Sequence, residues 1–407
     1  MNIKIFFTCI AAVCLLTAVS SCSNVTNSDD SSSGTTKTVT ISNASASVSY
    51  SGVLVIDGTT ASYSNQTFTS TSSNQVAVLV INGGSLTLTG CTITKSGDGS
   101  STSSGTSADD SFNFYGLNSA IVAVGSGSSI TLDGCTVNTT AKYANAVFAC
   151  DSAAVTVKDG ITITTTKDSS RGLYATYDGT ITSSATGAVS ITTSGAHCAA
   201  LATDRGGGTV TVTGSSTYAC TVSTGGDGSP CIYSTGAIAA SYMTGTSGAA
   251  QALVVEGKNS ITLSNSTVSG YDTSYGGIML YQSTSGDAST GTATLTMSSC
   301  TVNNIASGTP MFFVTNTSAT VNITSCTFQE STAAYTSSNN FIKCAGTTRW
   351  GTSGSNGGQL TMKAYSQTLT GTYYIDSNDS SLTLTIGSGS VNNLTAASGN
   401  TGTPTIN

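Results

Sequence analysis

From Val39 onward, apolar and polar residues alternate one by one in short runs, and the runs recur. Leu86-Thr87-Leu88-Thr89, Ile130-Thr131-Leu132-Asp133 and Ile261-Thr262-Leu263-Ser264 each place Leu or Ile at every second position. A period of two is that of a strand with one buried and one wet face. After a small or polar turn, a second short strand follows, as in Cys91-Thr92-Ile93 and Cys135-Thr136-Val137. A third, more uniformly apolar run precedes each pair, for example Ile121-Val122-Ala123 and Leu253-Val254-Val255. The residues Ala120, Ala146, Gly172 and Ala199, which lead four of these runs, are spaced 26, 26 and 27 apart.

Three short strands in a unit of roughly 25 residues cannot bury their own apolar faces, so successive units must stack. The pattern predicts an all-β fold, a single-stranded parallel β-helix over residues 38–395. About a dozen turns, at roughly 4.8 Å each, give a rod on the order of 60 Å long. A β-sandwich shares the turn spacing, but it has no register from unit to unit and usually a Trp in its core. Here Trp350 is the single Trp and stands in an irregular insert. Three stretches, 95–114, 282–291 and 346–358, read as long loops, where binding residues tend to sit. Residues 217–248 fit the repeat poorly, and 396–407 reads as a frayed tail.

Composition narrows the functional classes. The 407 residues include 45 Gly, only 3 Pro and 8% charged side chains, with a net charge of -7. An acidic, charge-poor chain offers no basic surface for nucleic acid. The 38% hydrophobic content argues against a disordered chain.

The N-terminus is different in kind. Lys4 precedes an apolar run that is too short to span a bilayer and ends in small residues, as in a secretory signal. Val19-Ser20-Ser21-Cys22 then resembles a bacterial lipobox. The resemblance implies cleavage after residue 21, lipid attachment at Cys22, and export to the outer membrane or cell surface. The Ser/Asn/Asp-rich residues 22–37 would be a flexible tether holding the body off the membrane.

Nine cysteines lie in the body. Cys91, Cys135, Cys300 and Cys326 share one frame between the same two strands. Such a stack reads as small buried side chains. The sharper alternative links neighbouring turns as Cys91–Cys135 and Cys300–Cys326, which an oxidising compartment permits.

Catalytic inventory is thin: one His, His197, and two Glu, Glu256 and Glu330. Asp204-Arg205 follows a strand, and Asp178 and Asp151 fall at the same place in the two preceding units. If Asp151, Asp178, Asp204 and Arg205 line one cleft, they could act on an acidic polysaccharide as lyase or hydrolase groups. Asp at a fixed point is also a turn residue. Asp98, Asp109 and Asp110 form a second acidic group that makes calcium a candidate ligand; no other cofactor is indicated. Tyr174 and Tyr177 are candidate sugar-stacking rings. Rows of Thr such as Thr87, Thr131, Thr156, Thr211, Thr262 and Thr296 are similar to those of ice-binding β-solenoids, but Asp133, Lys158 and Ser264 interrupt the Thr-x-Thr pattern.

Signal, lipobox, tether and repeat together resemble adhesin-like β-helical lipoproteins of bacteria and the passenger domains of autotransporters. That resemblance implies a right-handed helix and a non-catalytic surface protein that binds a glycan or a protein through its loops or one face. The β-helix also hosts pectate lyases and pectin hydrolases, so a polysaccharide enzyme is the alternative.

Overall fold

A computed structural model describes residues 34–100 and 106–407. Over this range the chain is a parallel β-helix. Each turn contributes one strand to each of three sheets, as in Gln75–Ile81, Ser85–Thr89 and Thr92–Lys95, which are termed here sheets 1, 2 and 3. The sheets hold 14, 13 and 11 strands respectively, and almost every neighbour is the strand one turn away. The signal, the lipobox with Cys22, and nearly all of the tether lie outside the described residues.

Alternation does in three dimensions what it does along the chain. On sheet 2, Leu86, Ile130, Val155, Ile181 and Val210 are consecutive register partners facing inward. All five are at most 1% exposed. The inward columns of the three sheets make one continuous core from Ile56 to Leu384. Each fully buried Ile, Val or Leu contributes about 1.5–3 kcal/mol.

The corner between sheets 2 and 3 explains the shared cysteine frame. Asn65, Gly90, Gly134, Asn265, Ser299 and Ser325 all stand there with φ between 48° and 62°. That left-handed conformation turns the chain sharply and favours Gly and Asn. The next residue points inward, and Cys91, Cys135, Ser266, Cys300 and Cys326 fill the corner. All nine cysteines of the body are free thiols, so neither Cys91–Cys135 nor Cys300–Cys326 is a disulfide. The four thiols of those two pairs each have a backbone partner instead: Cys91 Sγ donates to Tyr63 O at 3.5 Å, Cys135 Sγ to Leu88 O at 3.2 Å, Cys300 Sγ to Ser298 O at 3.2 Å and Cys326 Sγ to Thr324 O at 3.5 Å.

Four expectations change. Residues 217–248 continue the regular repeat from one turn into the next, with strands Cys220–Thr224, Ile232–Ser234, Ala237–Ser241 and Met243–Ser247 in register. Within the expected loop 95–114, the segment Thr106–Tyr115 is a helix. A ten-residue helix is marginal alone. This one is held by Phe112 and Phe114, at 4% and 6% exposure. Its last carbonyls are also caught: Tyr50 Oη donates to Tyr115 O at 2.7 Å and Thr176 Oγ1 to Phe114 O at 2.8 Å. The ordered body starts before residue 38, with strand Thr35–Ile41 folding back antiparallel on Ala46–Asp57. Residues 396–407 end not in a frayed tail but in strand Thr405–Ile406, paired with Thr383 and Leu384 of sheet 2.

Candidate functional site

Sheet 1 differs from the others because its middle strands are buried on both faces. The N-terminal hairpin, the helix and two inserts lie over its outer side. Two aromatic-rich clusters form there, one around Tyr50, Phe148 and Tyr174, the other around Phe313 and Trp350. Charged groups occupy the ground between them.

Asp204 is the centre of the first charged group. Tyr174 Oη donates to Asp204 Oδ2 at 2.9 Å, and Arg171 Nη2 lies 3.8 Å from the same oxygen. Burial pushes the Asp204 carboxyl up to about 6, against the pull of Arg171 and Tyr174. Arg171 stacks over the Tyr174 ring at 4.6 Å and donates to Asn113 Oδ1 of the helix at 3.0 Å. Arg205 reaches outward, to Asp110 Oδ2 at 3.2 Å and to Asp287 Oδ1 at 2.6 Å, with its guanidinium 3.9 Å over Phe114. It thus ties sheet 1 to the helix and to the 282–291 insert.

Asp151 has another task. Its two carboxylate oxygens accept from the backbone N–H of Ser42 and Asn43, at 2.9 and 2.8 Å, and so cap the turn that ends the N-terminal hairpin. Asp178 is exposed, and its Oδ2 accepts from Asn43 Nδ2 at 3.4 Å. The four residues therefore do not converge on one cleft: Asp151 and Asp178 serve the hairpin, while Asp204 and Arg205 belong to a paired network. The two tyrosines proposed for sugar stacking are covered. Tyr174 is fully buried, and Tyr177, at 6% exposure, stacks on Tyr115 at 5.7 Å.

The calcium group is likewise dispersed. Asp98 accepts from Lys142 N at 2.8 Å and Asp110 pairs with Arg205, while the Asp109 side chain lies outside the described residues. Among the described residues no three His, Cys, Asp or Glu side chains gather as metal ligands.

Sequence reasoning passed over Glu256. It ends strand Leu253–Glu256, is 1% exposed, and accepts at Oε2 from Tyr233 and, at 2.8 Å, from Tyr281. Its other oxygen, Oε1, is buried without a partner. Being one of only two Glu was the signal available.

The outer side of sheet 3 is the plainest surface of the molecule. Eleven strands form the sheet and the terminal one is antiparallel, so ten are parallel. One outward column runs Thr67, Thr92, Thr136, Thr162, Ser190, Thr221, Thr244, Thr267, Thr301, Thr327. Two residues on, the next column holds Thr69, Thr94, Asn138, Thr164, Thr192, Ser223, Thr246, Ser269, Asn303 and Gln329. Neither column contains a charge. The Thr row singled out from the sequence lies on sheet 2 and is less regular, broken by Ala239, Asn322 and Lys363. Asp133 and Lys158 pair at 3.2 Å beside it.

A groove of about 490 Å³ opens near the C-terminal turns of sheet 1, lined by Thr309, Asn340, Lys343, Tyr374, Asp376 and Ala397 among others. No family model matches the chain, and neither a curated protein nor a solved structure matches it.

Proposed function

We propose that this protein is a non-catalytic, lipid-anchored surface protein of a bacterium, adhesin-like, that binds a glycan or a surface protein along its β-helix. The observation that carries this reading is the outer side of sheet 3: ten parallel rungs with no ionisable side chain in two adjacent columns. A repeating face suits a repeating or extended ligand, and Thr presents a methyl and a hydroxyl at each position. The state of the acids agrees with it. Asp151 caps backbone, Asp204 is held by Tyr174 and Arg171, and Arg205 pairs with Asp110 and Asp287, which leaves little free acid or base for bond cleavage.

The test is a pair of face variants, Thr221→Lys and Thr244→Lys, in solid-phase binding to host and bacterial surface glycans and to intact cells. Binding that falls at least tenfold in both variants supports the face as the contact. Undiminished binding in both would move the ligand elsewhere.

One observation favours a second reading, ice binding. On sheet 3, nine of the ten residues in the first column are Thr. Hydroxyls repeat at roughly 4.8 Å along the rod and about 6.7 Å across it, a regular lattice that can order water. Inhibition of ice recrystallisation that is lost in Thr244→Lys would select this reading over the adhesin.

A further inference from the structure

We propose that the groove near the C-terminal turns of sheet 1 binds an anionic sugar chain, with Lys343 taking the acid group and Tyr374 the face of a sugar ring. This names a ligand class and a site, and it rests on the reading of the rod as a glycan-binding protein.

Register builds the site. Phe313, Lys343 and Tyr374 are successive partners on sheet 1, so their side chains stand one turn apart on the same outward side. The Lys343 ammonium lies 5.5 Å from the Phe313 ring centroid, a cation–π contact that holds it without neutralising it. Among the described residues seven cations have no ion pair, Lys95, Lys142, Lys167, Lys258, Lys343, Lys363 and Arg349, and of these Lys343 is the one that lines this groove. An unpaired cation in a groove of a chain with net charge -7 marks the place for an anion. Arg349, exposed and 4.9 Å over the Trp350 ring, is another of these cations, on the 346–358 insert.

The one acid in the groove is not available to Lys343. The Asp376 carboxylate accepts from Gly346 N at 2.9 Å, from Asn378 N at 3.0 Å and Nδ2 at 2.6 Å, and from Ser380 Oγ at 2.6 Å. Tyr374, the next rung, is half-buried, packs on the Phe313–Trp350 cluster and lines the groove together with Ala397. Asn340 is fixed at the rim, donating through Nδ2 to Gly308 O at 2.6 Å and accepting at Oδ1 from Thr372 Oγ1 at 3.2 Å. A cation beside an aromatic face, with amide and hydroxyl groups and the hydrogen-bonded Asp376 carboxylate around them, matches a uronate or a sulfated sugar: the ring stacks and the acid meets the ammonium.

The experiment uses the full chain and four probes: polygalacturonate, its fully methyl-esterified form, dextran sulfate and neutral dextran. Affinity electrophoresis and calorimetry give dissociation constants at low and at 0.5 M salt. The expected result is binding to at least one acidic polymer, at least tenfold tighter than to its neutral counterpart and weakened by salt. Lys343→Gln should lose that tenfold preference and Lys343→Arg keep it, while Tyr374→Ala weakens binding overall. Whether polygalacturonate or dextran sulfate binds tells carboxylate from sulfate. Equal binding of charged and neutral forms overturns the proposal, as does an unchanged Lys343→Gln or no binding to any acidic probe. If binding survives in Lys343→Gln and falls in Thr244→Lys, the groove is wrong and the rod reading stands. If no glycan, protein or cell binds, the rod reading itself fails.

Discussion

Arg205 and Asp287 stand 82 positions apart and are joined twice, Nε and Nη2 of the arginine donating to the same carboxylate oxygen at 2.9 and 2.6 Å. The pair spans three turns of the helix and pins the 282–291 insert beside the helix carrying Asp110. Because the pair lies partly in solvent, its contribution is moderate. Arg205→Ala should lower stability by about 1–2 kcal/mol. Asp287→Asn added to it should cost much less than Asp287→Asn alone, since partners are non-additive. Urea unfolding of the two single variants and the double variant measures this.

Asp204 makes a pH prediction with a definite sign. Its carboxyl is raised from 3.8 to about 6 in the folded protein, chiefly by burial, so the folded state holds this proton more tightly than the unfolded chain does. This group's contribution to stability is full below about pH 4 and is lost as pH rises through about 6. The loss is on the order of 2–3 kcal/mol at most. Asp204→Asn should flatten that part of the stability–pH curve, read by denaturant unfolding between pH 4 and 7. An identical slope in the variant would show that Asp204 does not titrate there.

The αL corner predicts opposite outcomes for two neighbours in kind. Gly90 has φ +60°, and a Cβ there would meet Asn65 Oδ1 at 2.6 Å. Gly90→Ala should cost about 1–2 kcal/mol. Asn265→Gly, at φ 48° in an equivalent corner, should change stability by only a few tenths of a kcal/mol. Thermal melts of the two variants side by side decide it.

The buried free thiols give a chemical check. Burial pushes Cys150, Cys220, Cys231 and Cys344 up to about 12, so they stay protonated and unreactive at pH 8. Those four should label slowly in the native body, and all nine body cysteines should label at once in denaturant without reductant. A count of seven or fewer after denaturation would mean a cross-link such as Cys91–Cys135.

What the sequence disclosed follows from which forces are local. Alternation at Leu86–Leu88 or Ile261–Leu263 is a one-strand property, and stacking makes it periodic, so the β-helix was legible. The αL corners were half-legible, as the repeated Gly-Cys and Ser-Cys pairs. The helix at Thr106–Tyr115 was hidden because its ten residues carry few anchors, Phe112, Phe114 and Tyr115, and the surfaces they pack on, such as Tyr143 and Tyr177, are made by distant turns. The covering of Tyr174 and Tyr177 was hidden for the same reason. Asp151, Asp178 and Asp204 looked equivalent by spacing, yet their surroundings differ: Asp151 caps the hairpin turn through backbone N–H groups, exposed Asp178 meets the Asn43 side chain of that turn, and buried Asp204 meets Arg171. Lys343 carried no sequence signal, since its isolation depends on what holds Asp376.

The central claim is binding without bond cleavage. The most direct measurement incubates the protein with plant, host and bacterial polysaccharides, with and without calcium, and quantifies retained protein and newly released sugar ends together. The account predicts retention on at least one polymer with no new reducing or unsaturated ends over the protein-free control. New ends that disappear in Asp204→Asn or Glu256→Gln would contradict it and make the outer side of sheet 1 an active site.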